Sequence, residues 1–503
     1  MSARPEVVIV GAGPAGIRAA QTLVAAGIRP IVLDENARWG GQIYRQPPAD
    51  AGFARSKQTL YGFEAKKADA VHATMAALLP QIDYRPDTLV WACDPVSTSA
   101  DIASTTGTSG TAGIAGPTSA TGHRYRLHTM HAGRETAVPF THLLIASGAT
   151  DRVLPVPGWT LPGVYTLGGA QVALKSQGCA IGERVVFAGT GPLLYLVAYQ
   201  YKKAGANVVA VLDTSDFATQ VKATPRLLNQ PGTFAKGLYY VGWLRTHGVR
   251  IEHGVTLAGI DGTAGVRAVR WQRDGREHTL GCTALGLGFG LRPETQLADL
   301  AGCRFVFDAL NQCWLPERDA AGRSSQAGVY LAGDGAGIAG ADAAEMAGRR
   351  AALAMLEDLG IAAPALPDAP DAATLERRLA SIHRFRVGIE QAFAPPSDPS
   401  AQWPDDMLVC RCEEIDARTL RECVRFDGVS EINRLKALTR VGMGRCQGRM
   451  CGEAACHLLA EASGQKLAQV GRLRAQAPIK PIPIAPMLFD DNVAAIPEEA
   501  RDE

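Results

Sequence analysis

Six of the eleven cysteines fall between Cys410 and Cys456, and four of these have the spacing of a metal site. Cys410-Arg-Cys412 and Cys446-Gln-Gly-Arg-Met-Cys451 are separated by 33 residues. Thiolates are soft ligands that suit iron–sulfur clusters and zinc. Four of them complete the tetrahedral sulfur coordination of both irons in a [2Fe–2S] cluster. Structural zinc usually takes wider Cys-x-x-Cys hairpins, so the Cys-x-Cys pair favours the cluster and leaves zinc as the rival. Arg411, Arg445 and Arg449 adjoin the ligands. Guanidinium groups near an anionic cluster should raise its potential; the alternative is an ordinary solvated face. Cys423 and Cys456 fall at helical positions and read as packing residues.

A second chemical signal lies at the other end. Val7–Val10 reads as a buried strand, and Gly11-Ala-Gly-Pro-Ala-Gly16 follows it and opens a helix. This is a Gly-x-Gly-x-x-Gly turn in the context its chemistry requires. The glycines permit the tight turn, close approach to a pyrophosphate, and helix–strand packing. Gly11, Gly13, Pro14, Ala15 and Gly16 are therefore candidate cofactor contacts, and the helix N-terminus offers free N–H groups to phosphate. Asp34 ends the next strand, 23 residues after Gly11, where an acid accepts ribose hydrogen bonds. Glu35 is the fallback. A similar unit recurs at Gly189-Thr-Gly-Pro-Leu-Leu194, with Leu194 in place of the third glycine. Asp213 could accept ribose hydroxyls there and would repel a 2′-phosphate. NAD or an empty structural domain are the two readings, and NADP is disfavoured.

Leu143-Leu-Ile-Ala-Ser-Gly-Ala149 and Val329-Tyr-Leu-Ala-Gly-Asp334 are further apolar strands ending in Ser-Gly and Gly-Asp. With the first glycine turn they resemble the two-dinucleotide-binding-domain flavoproteins, the glutathione- and thioredoxin-reductase-like superfamily. The resemblance implies FAD at the first site. It implies contacts from Ser147, Gly148, Gly333 and Asp334, and from the Gly40-Gly41-Gln42 loop that approaches the flavin. Asp334 could also serve as a helix cap. The thioredoxin-reductase branch uses a Cys-x-x-Cys disulfide beside the flavin, and none occurs in residues 1–409. Cys93, Cys179, Cys282, Cys303 and Cys313 are isolated and read as small packing residues. Reduced flavin must then hand its electrons elsewhere, and the C-terminal cysteines are the candidate outlet.

The C-terminal module resembles the bacterioferritin-associated-ferredoxin-like [2Fe–2S] domain, with Cys-x4-Cys in place of the Cys-x-x-Cys of the small ferredoxins. Asp151-Arg-Val-Leu-Pro-Val-Pro-Gly-Trp-Thr-Leu-Pro-Gly163 and Arg184–Leu194 complete a resemblance to the A (alpha) subunits of opine oxidases, hydrogen cyanide synthase and D-hydroxyproline dehydrogenase. In that family a separate FAD subunit oxidises the amine, and the alpha-type chain relays electrons, in some members with FMN at the subunit interface. The resemblance implies an electron-transfer subunit of an amino-acid, imino-acid or opine dehydrogenase; the electron acceptor is left open, with a quinone or the respiratory chain as candidates. Two rivals stand beside it. One is a self-contained NADH-dependent FAD/[2Fe–2S] oxidoreductase passing electrons to a separate carrier. The other is a scaffold with vestigial sites, against which the intact cysteine quartet speaks. No constellation of His, Asp or Glu suggests a substrate base, so no catalytic residue is assigned.

The elements that must hold these sites read as α/β. The expectation is two Rossmann-like domains of glutathione-reductase type plus a small, mainly helical cluster domain. An FAD-binding domain over 1–152 and 284–360 would enclose a second, NAD-binding-like domain over 153–283. A Pro/Ala-rich linker region would follow over 361–404, then the [2Fe–2S] domain over 405–471 and an extended tail over 472–503. Asp416 should cap one helix of the cluster domain. Ile432, Leu435 and Leu438 should line another that ends near Gly442, and Gly464 should stop a third. Residues 94–122, rich in Ser, Thr, Gly and Ala, read as a long hairpin loop. At 503 residues the chain exceeds one core. A net charge of +1 gives no nucleic-acid footprint. No apolar run is long enough for a membrane span. The expected location is cytoplasmic or peripheral to the inner membrane.

Overall fold

The computed structural model describes residues 6–49, 51–53, 55–95, 125–364, 366 and 369–483. Val7–Val10 is apolar at every position because it is central in a five-stranded parallel sheet. The order across that sheet is Val329–Leu331, His142–Ile145, Val7–Val10, Ile31–Leu33, Asp83–Arg85. Strands that face helices on both sides read as continuous hydrophobic runs. Helix Pro14–Ala25 packs on one face against helix Ala341–Asp358. The two come so close that a Cβ on Gly348 would lie 2.0 Å from the Ala15 carbonyl oxygen. A three-stranded antiparallel sheet, Leu89–Pro95, Tyr125–His131 and Arg134–Phe140, flanks this domain. Pro95 pairs with Tyr125, so the flanks of the expected hairpin do pair. Most of the 94–122 loop itself lies outside the described residues.

The second domain repeats the plan. Its parallel sheet runs Arg250–His253, Val208–Asp213, Val185–Thr190, Ala284–Phe289, Val164–Thr166. An antiparallel sheet of Thr256–Gly262, Val266–Arg273 and Arg276–Gly281 lies beside it. Ala284–Phe289, expected to open the return to the first domain, instead pairs along its whole length with Val185–Thr190. All six of its residues are buried. The chain crosses back only at Leu291–Pro293, which pairs antiparallel with the outgoing strand Ala149–Asp151. These two short strands are the bridge between the domains.

The linker expected over 361–404 is largely a 21-residue helix, Ala372–Ala392. Asp371 caps it by accepting from the Thr374 N–H at 2.8 Å. Its buried Phe385, Gly388 and Ile389 pack on helix Phe217–Leu227. A Cβ on Gly388 would stand 2.8 Å from the Arg226 Cβ. The arginine-rich surface of this helix hides its narrow apolar stripe from a compositional reading.

The cluster domain is built from strand Leu408–Cys410 and helices Ala417–Asp427, Ile432–Thr439 and Gly452–Ser463 around Leu420, Ile432, Leu435, Leu458 and Leu459. Asp416 accepts from the Thr419 N–H at 2.8 Å and caps the first helix. The second helix ends at Arg440, in the left-handed region at φ 65°, two residues before Gly442. Leu438 is exposed rather than lining it. The tail runs along the first domain. Arg472 pairs with Asp299 at 2.6 Å, the Ile479 N–H donates to the Trp91 carbonyl, and Lys480 pairs with Glu35. Among the described residues no helix is long and apolar enough to cross a membrane.

Candidate flavin and cluster site

The first glycine turn has the geometry its sequence foretells. Gly11 has φ +106°, and a Cβ there would lie 2.3 Å from the Ala146 carbonyl oxygen. A Cβ on Gly16 would lie 1.9 Å from the Gly11 carbonyl oxygen. Gly13 differs: a Cβ there would meet only Gly41 Cα, at an ordinary contact distance of 3.6 Å, and the residue borders a cavity. The Ala12 N–H donates to Asp34 Oδ2 at 2.6 Å, and the Asn36 N–H donates to Asp34 Oδ1 at 2.8 Å. Burial raises the Asp34 carboxyl against these bonds. Asp34 therefore braces the turn as well as lining the cavity beside it. Glu35 reaches Lys480 at 2.7 Å.

A cavity of about 1170 Å³ opens from this turn. Gly11, Gly13, Pro14, Ala15, Asp34, Glu35, Gly41, Gln42, Ser147, Gly148, Gly333 and Asp334 all line it. Gly16 does not; it packs the helix against the strand. Ser147 Oγ donates to the Glu294 carbonyl at 2.6 Å. Asp334 Oδ1 accepts from the Ala339 and Gly340 N–H groups, each at 2.9 Å, and so folds the loop just ahead of helix Ala341–Asp358 rather than capping that helix itself. Tyr44 also borders the cavity, and its buried hydroxyl has no partner among the described residues. A cavity of this volume, lined by a glycine turn that opens a helix, fits a dinucleotide.

Cys446 lines this same cavity, together with Arg411, Arg449 and Met450. The four sequence-predicted cysteines come together in a chain of contacts: Cys410 to Cys451, Cys451 to Cys446, Cys446 to Cys412. The Cys451 thiol donates to Cys410, and backbone N–H groups of Gly442, Glu413 and Cys412 point at the same sulfur. Against the opposing effect of burial they lower Cys410 to about 6. Cys446 is lowered to about 5, chiefly by its bond from Cys451, against burial and with help from the Met450 and Gly448 amides. Cys451 lies against both of these sulfurs with a single S–H to give, and their closeness together with burial raises it. It is also the N-cap residue of helix Gly452–Ser463, whose positive end favours an anionic group. Among the described residues no three His, Cys, Asp or Glu side chains are arranged around a single ion. Four thiols strung in a row beneath a fan of amides suit a two-iron cluster better than one zinc ion.

The cluster domain is docked onto the flavin-binding body. Arg449 bonds both carboxylate oxygens of Glu294, at 2.6 and 3.1 Å, and donates to the Ile479 carbonyl at 2.7 Å. Burial would raise Glu294, but the Arg449 charge and bonds outweigh it and hold the carboxyl below its usual range. Arg152 Nε lies 3.0 Å from Glu453 Oε1, without hydrogen-bond alignment. The Trp159 indole N–H donates to the Leu408 carbonyl at 2.7 Å. Arg411 stacks over the Trp159 ring at 5.8 Å. Arg449 is thus a tether whose charge is neutralised. Sequence reasoning missed Glu294, Arg152 and Glu453, because each partner lies in a different domain.

The second glycine turn also reaches the cavity, which Gly191, Pro192 and Leu193 line, but its ribose-binding candidate Asp213 is already engaged. Asp213 is fully buried and accepts from the Tyr195 hydroxyl, the Ser215 N–H at 2.9 Å and hydroxyl at 2.6 Å, and Gln220 Nε2 at 3.2 Å. Leu194 is fully buried in the core of its helix. Phe393, just past helix Ala372–Ala392, packs on Tyr195.

Residues 5–352 match the family model for the pyridine nucleotide-disulphide oxidoreductases, and residues 408–461 match that for the BFD-like [2Fe–2S] binding domain. The chain is 35% identical to the A subunit of the opine oxidase of Agrobacterium tumefaciens (strain Ach5), over 99% of this chain and 92% of that one. It is 32% identical to the HcnB subunit of the hydrogen cyanide synthase of Pseudomonas aeruginosa, over 96% of this chain and 98% of that one. The crystal structure of L-proline dehydrogenase from P. horikoshii superposes with a TM-score of 0.67 at 18% identity, over 96% of this chain and 79% of that one. The cofactors that the two matched domains carry are FAD and a [2Fe–2S] cluster.

Proposed function

The chain belongs to the pyridine nucleotide-disulphide oxidoreductase family, in the branch of the opine oxidase A subunits and the hydrogen cyanide synthase HcnB subunits, and from that membership we propose that it is the electron-transfer subunit of a heteromeric dehydrogenase of amino acids, imino acids or opines. The carrying observation is that one cavity runs from the glycine turn at Gly13 to the cluster cysteine Cys446. Bound there, FAD supplies a two-electron carrier and the cluster a one-electron carrier. Gly13, Asp34, Gln42, Ser147 and Asp334 would hold the FAD. Cys410, Cys412, Cys446 and Cys451 would hold the cluster. The Arg449–Glu294 pair keeps the two sites in fixed register.

The substrate would be oxidised on a separate FAD-containing subunit. No histidine lines the cavity among the described residues, and the opine oxidase and hydrogen cyanide synthase relatives are themselves subunits. The sealed environment of Asp213 argues against NADH as the source of electrons. Purified alone, the chain should reduce an artificial dye little with any amino acid or opine, and NADH should reduce its flavin slowly or not at all. Co-expressed with an amine-oxidising flavoprotein subunit, it should form a stable complex whose substrate bleaches both flavin and cluster absorbance. Fast amine oxidation by this chain alone would overturn the reading.

A further inference from the structure

Helix Leu167–Ser176 begins where the chain enters the second domain. Thr166 caps it, and the Asp151 carboxylate accepts from the Gly168 N–H at 3.0 and 3.1 Å. Gly168, Gln171, Val172 and Lys175 follow one another at helical spacing, and all four line the cavity that holds the FAD. One face of the helix is therefore a wall of that cavity.

Lys175 is unusual on that wall. It is 1% exposed, and the only hydrogen-bond partner of its ammonium among the described residues is the Ile43 carbonyl, at 3.0 Å. Ile43 directly follows the Gly40-Gly41-Gln42 loop. The Tyr61 ring lies 5.8 Å from Nζ, and Tyr44 lines the same cavity. No carboxylate pairs with Lys175 among the described residues. A lysine is almost never fully buried without a counter-charge. Two of its three N–H donors have no acceptor among the described residues, and burial, with the Arg45 charge acting in the same direction, lowers it to about 7. A group with this environment is built for a ligand that brings acceptor atoms and negative charge.

We propose that Lys175 is the positioning cation of the flavin: it faces the bound FAD and favours the reduced, negatively charged form. This rests on the FAD reading of the cavity and deepens it, since it assigns the residue that sets the flavin's affinity for electrons. A buried cation in a low-dielectric wall interacts strongly with charge that appears on its neighbour. Lys175 would stay protonated by virtue of that charge, with the Ile43 carbonyl fixing the direction of its head group. The role is electrostatic, so arginine should preserve most of it and an isosteric neutral side chain should not.

The test is the flavin midpoint potential of the holoprotein, by spectroelectrochemical titration, with FAD, iron and sulfide assayed on the same samples. Lys175→Met should bind the oxidised flavin and shift its reduction equilibrium at least tenfold toward the oxidised form, about 30 mV downward for a two-electron couple. Lys175→Arg should recover most of that shift. Cluster content should not change. A Lys175→Met protein that holds FAD at the wild-type potential overturns the proposal. If the neutral variant loses FAD, the wild-type protein decides. A bound potential above that of free FAD in the same buffer supports the buried cation, and one at or below it overturns the proposal. Extraction of a cofactor other than FAD would instead remove the cavity reading on which the proposal stands.

Discussion

Arg449 grips both oxygens of Glu294 across the boundary between the cluster domain and the flavin-binding domain. Their side chains are 15% and 10% exposed. Removing one partner of a buried pair leaves an uncompensated charge and costs about 3–5 kcal/mol. Arg449→Met or Glu294→Gln should therefore loosen the docking, read as a lower Tm and faster proteolysis near residues 395–404. The pair should also make docking acid-sensitive. Glu294 is depressed below its unfolded value, so its contribution is full above the ordinary glutamate range and is lost as pH falls through the folded value. Acid proteolysis profiles that are identical in wild type and Glu294→Gln would contradict this.

Cys446→Ser or Cys412→Ser should abolish the iron–sulfur absorbance and leave FAD bound. The residues proposed to hold FAD lie between Gly13 and Asp334, in a body with its own core around Val7, Ile9, Leu23 and Leu144. Because the cluster loop is docked through Arg449, these variants should also lose some of the thermal stability of the flavin-binding body. A serine variant with normal iron and sulfide content would refute the ligand assignment.

How much of this was legible follows from where each signal resides. The glycine turn, Asp34 and the four cysteines could be read because their chemistry is written in short spacings. The two-domain α/β plan could be read because buried parallel strands are unbroken apolar runs. Helix Ala372–Ala392 was not legible: its proline-rich flanks dominate a compositional reading, and its apolar stripe of Leu375, Phe385 and Ile389 is thin. Ala284–Phe289 was placed in the wrong domain because an apolar run does not say which sheet it joins. Lys175 left a faint signal, a lysine in register with Gln171 and Val172 on an otherwise small and apolar helix. Glu294–Arg449 left none, since 154 residues intervene.

Gly13→Val should block FAD binding. The cavity that Gly13 lines is the room a pyrophosphate needs, and the altered side chain would project into it. Asp34→Ala should weaken FAD by about 1–3 kcal/mol, the loss expected for charge-assisted hydrogen bonds. It should also destabilise the apoprotein, because the Ala12 N–H loses its acceptor. Equilibrium dialysis against FAD and apoprotein melting curves separate the two effects. An Asp34→Ala variant with unchanged apoprotein stability would contradict the bracing role.

Asp213→Ala tests whether the second glycine turn works as a nucleotide site. If Asp213 were a ribose ligand, its loss should abolish reduction by NADH and barely disturb the fold. The structure points the other way. Its carboxylate already serves Tyr195, Ser215 and Gln220, and each donor stranded in a buried site costs about 1–3 kcal/mol. The variant should therefore melt at a clearly lower temperature while its slow NADH reaction stays as slow as that of the wild type. Asp213→Asn should recover part of the stability, because its side-chain oxygen can still accept from Ser215. The deciding measurement is stopped-flow reduction of the flavin by NADH beside a melting curve on the same preparation. Rapid NADH reduction in the wild type that disappears in a stable Asp213→Ala protein would promote the self-contained NADH-dependent enzyme over the electron-transfer reading.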